Sequence, residues 1–219
     1  MLTAVIFDMD GVLIDSEPFW QRAQMAVVSG LGHFRTEEGC TSTIGVRIDQ
    51  LVAHWYRLRP WSGPTQEEVV QRILDQVIAL ILQEGQAKAG VLEALDLIEA
   101  QGLKIGLATS SPFTMVEAVL GKLGIRDRFM AVHSAEVERF GKPHPDVYIH
   151  AAEKLGVEPV HCLAIEDSFT GLLAAKAASM KALIVPDPAL VGDPRLAIAD
   201  HQLHSLAELD ADMLARWVA

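Results

Sequence analysis

The sequence predicts an α/β protein: a parallel sheet core with an all-helical module inserted after its first strand. Three observations carry this expectation. Residues Ala4 to Phe7 form an apolar run that stops on two carboxylates, Asp8 and Asp10, and a short apolar run bounded in this way fits a strand buried on both faces. Residues 16–85 carry only helical periodicity. After Gly85, helical and strand-like segments alternate as far as Val185, the pattern of a parallel sheet joined by crossover helices.

In chain order, Glu17 to Val28 reads as a helix. Val46 to Arg57 follows, with Ile48, Leu51, Val52 and Trp55 at helical spacing. Pro60, Gly63 and Pro64 interrupt the pattern. Glu67 to Leu82 then carries Val69, Val70, Ile73, Leu74, Val77, Ile78 and Ile81 along one face. Beyond Gly85, helices are predicted over Val91 to Ala100, Met115 to Leu123, Val147 to Leu155 and Leu172 to Ala178. Strands are predicted over Leu103 to Ala108, Phe129 to His133, Cys162 to Ile165 and Lys181 to Val185, and Ser205 to Val218 suggests one further helix. The simplest organisation is a Rossmann-like core of residues 1–15 and 86–219 with a helical cap over 16–85.

Half of the 219 residues are hydrophobic and a fifth are charged, the balance of a folded globular chain. The longest uncharged apolar stretch, Val77 to Leu82, is far too short to cross a bilayer, and no basic region followed by an apolar signal segment opens the chain. A cytoplasmic protein is expected, and nothing demands more than a monomer. With 29 acidic and 18 basic side chains the formal charge is −11, which repels nucleic acid and anionic membrane surfaces. A small phosphorylated molecule remains compatible if its site carries local cations. Cys40 and Cys162 lie far apart, so buried free thiols are expected rather than a disulfide framework.

Candidate chemistry gathers where strands end. Asp8 and Asp10 close the first strand. Alone, an Asp-x-Asp-Gly segment reads equally well as a turn, and burying its carboxylates costs several kcal/mol unless cations or hydrogen bonds compensate. Thr109, Ser110 and Ser111 close the second strand, ahead of Pro112. Ser111 suits an N-cap there, and hydroxyls with free N–H groups at a helix start make an anion cradle. Lys142 lies between Gly141 and Pro143 in a loop whose two prolines restrict its freedom. Glu166 and Asp167 close the Cys162 strand, where acidic residues also suit a helix dipole. In a parallel sheet all of these ends share one edge. Three carboxylates, a lysine and a hydroxyl in one crevice suit Mg²⁺ and a phosphate oxygen. His144, His150 and His161 lack zinc-ligand spacing and are expected to be solvated or structural.

These motifs resemble the haloacid dehalogenase-like phosphohydrolases, whose Asp-x-Asp pair, Ser/Thr, Lys and late acidic pair occur here in order between residues 8 and 167. Asp8-Met9-Asp10-Gly11, Asp15-Ser16-Glu17-Pro18, Gly45-Val46-Arg47-Ile48-Asp49 and Trp61-Ser62-Gly63-Pro64 further resemble the bacterial phosphatases of 2-deoxyglucose 6-phosphate and hexitol phosphates. The resemblance implies Asp8 as nucleophile, Asp10 as general acid and base, and Thr109, Ser110 and Lys142 as phosphoryl contacts. It implies Mg²⁺ held by Asp8, Asp10 through its backbone carbonyl, and Asp167, with Glu166 nearby. Glu17, Arg47 and Trp20 are candidates for contacts to the sugar. Two alternatives stay open: a phosphosugar mutase, whose cap must hold a second phosphate, and, more distantly, a phospho-receiver signalling domain.

Overall fold

A computed structural model describes residues 1–31 and 46–218. Six parallel strands form one sheet: β1 (Ala4–Phe7), β2 (Lys104–Thr109), β3 (Ala131–Ser134), β4 (Cys162–Glu166), β5 (Lys181–Ile184) and β6 (His201–Gln202). Their spatial order is β3-β2-β1-β4-β5-β6. The chain order therefore reverses direction across the sheet at β1, and such a switch point opens a crevice beyond the carboxyl ends of the strands.

Eight α-helices occur among the described residues. Three lie between β1 and β2 and belong to the predicted helical stretch: α1 (Glu17–Ser29), α2 (Ile48–Leu58) and α3 (Gln66–Glu84). The others are α4 (Val91–Ala100), α5 (Phe113–Leu123), α6 (Asp146–Leu155), α7 (Phe169–Ala177) and α8 (Ala211–Val218). None is long and apolar enough to cross a membrane.

The first strand shows why the sheet sits where it does. All four residues of β1 are fully buried. Val5 and Phe7 face a layer containing Leu95 and Ile98 of α4 and Val116 and Leu120 of α5. Ala4 and Ile6 face the opposite layer, with Val147 and Ala151 of α6 and Leu172 of α7. The two-residue period of a strand divides its side chains in this way. Burying a chain such as Phe7 contributes about 1.5–3 kcal/mol.

The inserted helices are not isolated from the core. Val69, Ile73, Val77 and Ile81 of α3 continue the first of these layers, α3 packs on α5, and Lys122 of α5 donates to the carbonyl of Leu82 at 2.7 Å. Helix α3 starts with a capping box, in which Thr65 and Glu68 satisfy each other's backbone N–H groups.

Several boundaries differ from expectation. The helix predicted from Val46 begins at Ile48, and that predicted from Met115 begins at Phe113 with Pro112 at its N-cap. Ser111, expected to cap it, lies one residue too early. The tail is broken: a 3-10 turn at Leu206–Glu208 precedes α8. Strand β6, two residues long and without an apolar run, had no signal. Cys162 is a buried free thiol, and burial pushes it up to about 12, so it stays protonated and inert. Cys40 and Gly45 lie outside the described residues.

Candidate active site

The backbone sets the positions first. Phe7 of β1 pairs with Leu107 of β2 on one side and Ile165 of β4 on the other, so Asp8 emerges between the ends of those two strands. Gly11 turns the chain away with φ at +73°, and a Cβ there would stand 1.8 Å from Oδ2 of Asp167. Only glycine meets both demands. The carboxylate of Glu166 packs equally close to Gly171 in the first turn of α7.

Lys142 is the hub. The residue is 4% exposed, and its ammonium donates to Oδ1 of Asp8 at 2.7 Å, Oε1 of Glu166 at 2.6 Å and the carbonyl of Ala108 at 3.1 Å. Burial opposes its charge, but Asp8 and Glu166 raise its pKa above the ordinary lysine value. Glu166 is saturated: Oε1 also accepts from the Tyr148 hydroxyl at 2.6 Å, while Oε2 accepts from Asp167 N and from the Ser168 hydroxyl. Asp8, Glu166 and Asp167 offer oxygens within 4.8 Å of one another. Burial pushes Asp8 up to about 8 against the pull of Lys142, and burial together with Asp8 and Glu166 drives Asp167 up as well. Three buried carboxylates share one ammonium, so the site attracts a further cation. An all-oxygen donor set suits a hard divalent ion such as Mg²⁺.

Asp10 faces the other way. Its Oδ1 accepts from the Ser16 hydroxyl at 2.5 Å and Trp20 Nε1 at 3.2 Å, and its Oδ2 from the Ser111 hydroxyl at 2.6 Å. Thr109, buried at the end of β2, accepts from Ser111 N at 3.1 Å. Between Asp8 and the inserted helices lies a cavity of about 70 Å³ that is partly open to solvent. Ser110, Lys142 and Asp167 line it from the sheet side; Glu17, Trp20, Gln24, Ile48 and Leu51 line it from α1 and α2.

Residues 2–179 match the sequence profile of the hydrolase family described as haloacid dehalogenase-like hydrolase. The chain belongs to the haloacid dehalogenase-like hydrolases. It is 46% identical over 211 residues to hexitol phosphatase B of Escherichia coli K12, covering 96% of this chain and 95% of that protein, and it is a phosphatase of the family. CbbY of Rhodobacter sphaeroides in complex with phosphate superposes with a TM-score of 0.87 at 26% identity, covering 95% of this chain and 96% of that one. A β-phosphoglucomutase from Clostridium difficile shares the fold, with a TM-score of 0.86 at 23% identity over 99% of this chain and 97% of that one.

Within this haloacid dehalogenase-like site, Asp8, Asp10, Ser110, Lys142 and Asp167 border one cavity, and Thr109 and Glu166 stand directly behind it. Glu17 and Trp20 reach the wall. Burial pushes Glu17 up to about 7, with Asp187, Asp10 and Asp15 adding to the effect and Gln21 opposing it. Arg47 does not reach the cavity. It pairs with Asp49 and donates from Nη1 to the carbonyls of Ala135 and Glu138 at 2.8 and 2.9 Å, which ties the start of α2 to the turn before Lys142. His150 is half exposed, and it and His133 both hold Oε1 of Glu138, so that His133, Glu138 and His150 offer ligand atoms within 4.8 Å of one another, a grouping their spacing in sequence did not announce. Sequence reasoning gave no role to Ser16, Tyr148 or Ser168. It missed Ser111 as an Asp10 partner because a serine before a proline reads as a cap.

Proposed function

We propose that this phosphatase hydrolyses small sugar or hexitol phosphomonoesters with Mg²⁺, through an aspartyl-phosphate on Asp8. The observation that carries the reading is the buried Asp8 carboxylate, held by Lys142 at the cavity floor with Asp10 beside the same cavity. The 46% identity to hexitol phosphatase B supports the substrate class.

In the first step an Asp8 oxygen attacks phosphorus as the bond from phosphorus to the ester oxygen breaks. Asp10 gives its proton to the departing alkoxide. The hydroxyls of Ser16 and Ser111, which donate to an ionised Asp10, can turn to accept from a protonated one. In the second step Asp10 takes a proton from water, which attacks the acyl phosphate, releases inorganic phosphate and restores Asp8. Thr109 and the Ser110 N–H orient the transferring oxygens.

A carboxylate approaching a phosphate meets repulsion of about 4 kcal/mol per charge pair at 4 Å and effective dielectric 20, roughly three decades in rate. Lys142 offsets part of it. Mg²⁺, held by Asp8, Asp167 and the Asp10 carbonyl, would supply the rest by drawing charge from the phosphoryl oxygens. Glu166, saturated by Lys142, Tyr148 and Ser168, serves to orient Lys142. We further propose that residues 16–85 act as a cap over the substrate, since α1 and α2 form the wall of the cavity opposite Asp8. The mutase alternative needs a cap cation for a second phosphate, and Arg47 is committed elsewhere.

Phosphate release from a panel of hexitol and hexose monophosphates, with Mg²⁺ and with chelator, tests the reading. Metal-dependent release that disappears in Asp8→Asn is expected. Release that persists in chelator or in that variant would contradict it.

A further inference from the structure

Helix α1 turns three polar side chains toward the cavity at helical spacing: Glu17, Trp20 and Gln24. Two of them have partners, Glu17 in Gln21 and Trp20 in Asp10. Gln24 is 7% exposed, and its Oε1 is buried with no hydrogen-bond partner. Native proteins rarely leave a buried carbonyl oxygen unpaired, because it has given up water for nothing in return. The facing wall of the cavity carries Ile48 and Leu51 of α2, which offer no donor.

We propose that Gln24 is a specificity-determining residue, whose amide pairs with a hydroxyl on the carbon chain of the substrate, away from the phosphorus. The inference rests on the phosphatase reading of the same cavity and adds the group that the leaving alcohol must carry. A hydroxyl is the chemistry that fits. It donates to Oε1, and if the amide turns by half a rotation it accepts from Nε2 instead. An ammonium would find its partner in Glu17 or Asp187, which line the same cavity, rather than in a neutral amide. A site built around an unpaired polar group rejects substrates that cannot pair with it, so polyol and sugar monophosphates are favoured over simple alkyl phosphates.

The test is the ratio of kcat/KM for a hexitol 6-phosphate to that for ethyl phosphate, in wild type and in Gln24→Leu, with Gln24→Met as a second apolar replacement of similar length. Both variants should lower that ratio roughly tenfold, mainly through KM for the hexitol ester, the loss of one hydrogen bond to a buried group. Melting temperatures should be unchanged or raised, because the unpaired oxygen is gone, and this separates recognition from structural damage. A ratio that does not move in either variant, with wild type active, overturns the role of Gln24 and leaves the phosphatase reading standing. A wild type inactive on every phosphomonoester overturns both.

Discussion

The ammonium of Lys142 stands 2.7 Å from Oδ1 of Asp8, with Glu166 equally close on its other side. Among the described residues neither carboxylate has another cationic partner, so the lysine holds the floor of the site together. Removing one member of a buried charge cluster leaves the others uncompensated, at about 3–5 kcal/mol. Lys142→Met should therefore lose activity and lower stability by about that amount in urea unfolding. The double variant Lys142→Met with Glu166→Gln should regain part of the stability and none of the activity.

Gly11→Ala should be more damaging than an ordinary surface glycine replacement. The left-handed backbone costs a non-glycine residue about 1–2 kcal/mol, and the added Cβ collides with the Asp167 carboxylate. The expected result is a higher Mg²⁺ concentration for half-maximal phosphate release, together with a lower Tm. An unchanged Mg²⁺ dependence would separate Asp167 from the metal.

Asp10→Asn cannot donate a proton. Turnover of an alkyl phosphate should fall by about 100- to 10,000-fold. The loss in the first step should be smaller for 4-nitrophenyl phosphate, whose leaving group departs without protonation. Pre-steady-state release of 4-nitrophenol measures this step alone, and equal losses for both esters would remove Asp10 from the acid role.

Glu17 gives a pH signature. Its folded pKa, about 7, lies above the ordinary value of 4.5, so the folded state holds the proton more tightly than the unfolded one. Stability from this group is complete below about 4.5 and is lost as pH rises toward 7. Glu17→Gln should be more stable than wild type at pH 8, and the difference should vanish at pH 4.5. Urea unfolding of both proteins at the two pH values measures it.

Much of the fold was legible because buried parallel strands read as bare apolar runs. The polar residues that end those runs fall on one edge whatever their separation in sequence, which is how Asp8, Thr109, Lys142 and Asp167 could be grouped. The partners were less legible. Tyr148 sits among apolar residues of α6 and reads as core, although its hydroxyl holds Glu166. Ser111 reads as a cap, and its acceptor lies 101 residues away. Arg47 reads as a sugar contact, because nothing local announces that its acceptors include carbonyls of the turn before Lys142. Gln24 follows no motif; only its unpaired oxygen in the folded chain marks it.

The central claim is a covalent bond between Asp8 and phosphorus. Rapid quenching of the Asp10→Asn variant during turnover of 4-nitrophenyl phosphate, whose leaving group departs without protonation while hydrolysis of the acyl phosphate still lacks its base, followed by proteolysis and mass spectrometry, tests it most directly. The account predicts one added phosphoryl group on the peptide containing Asp8, absent when Asp8 is also replaced by Asn. Phosphate released in a single turnover with no phosphorylated peptide at any quench time, or with the phosphoryl group on another residue, would contradict it.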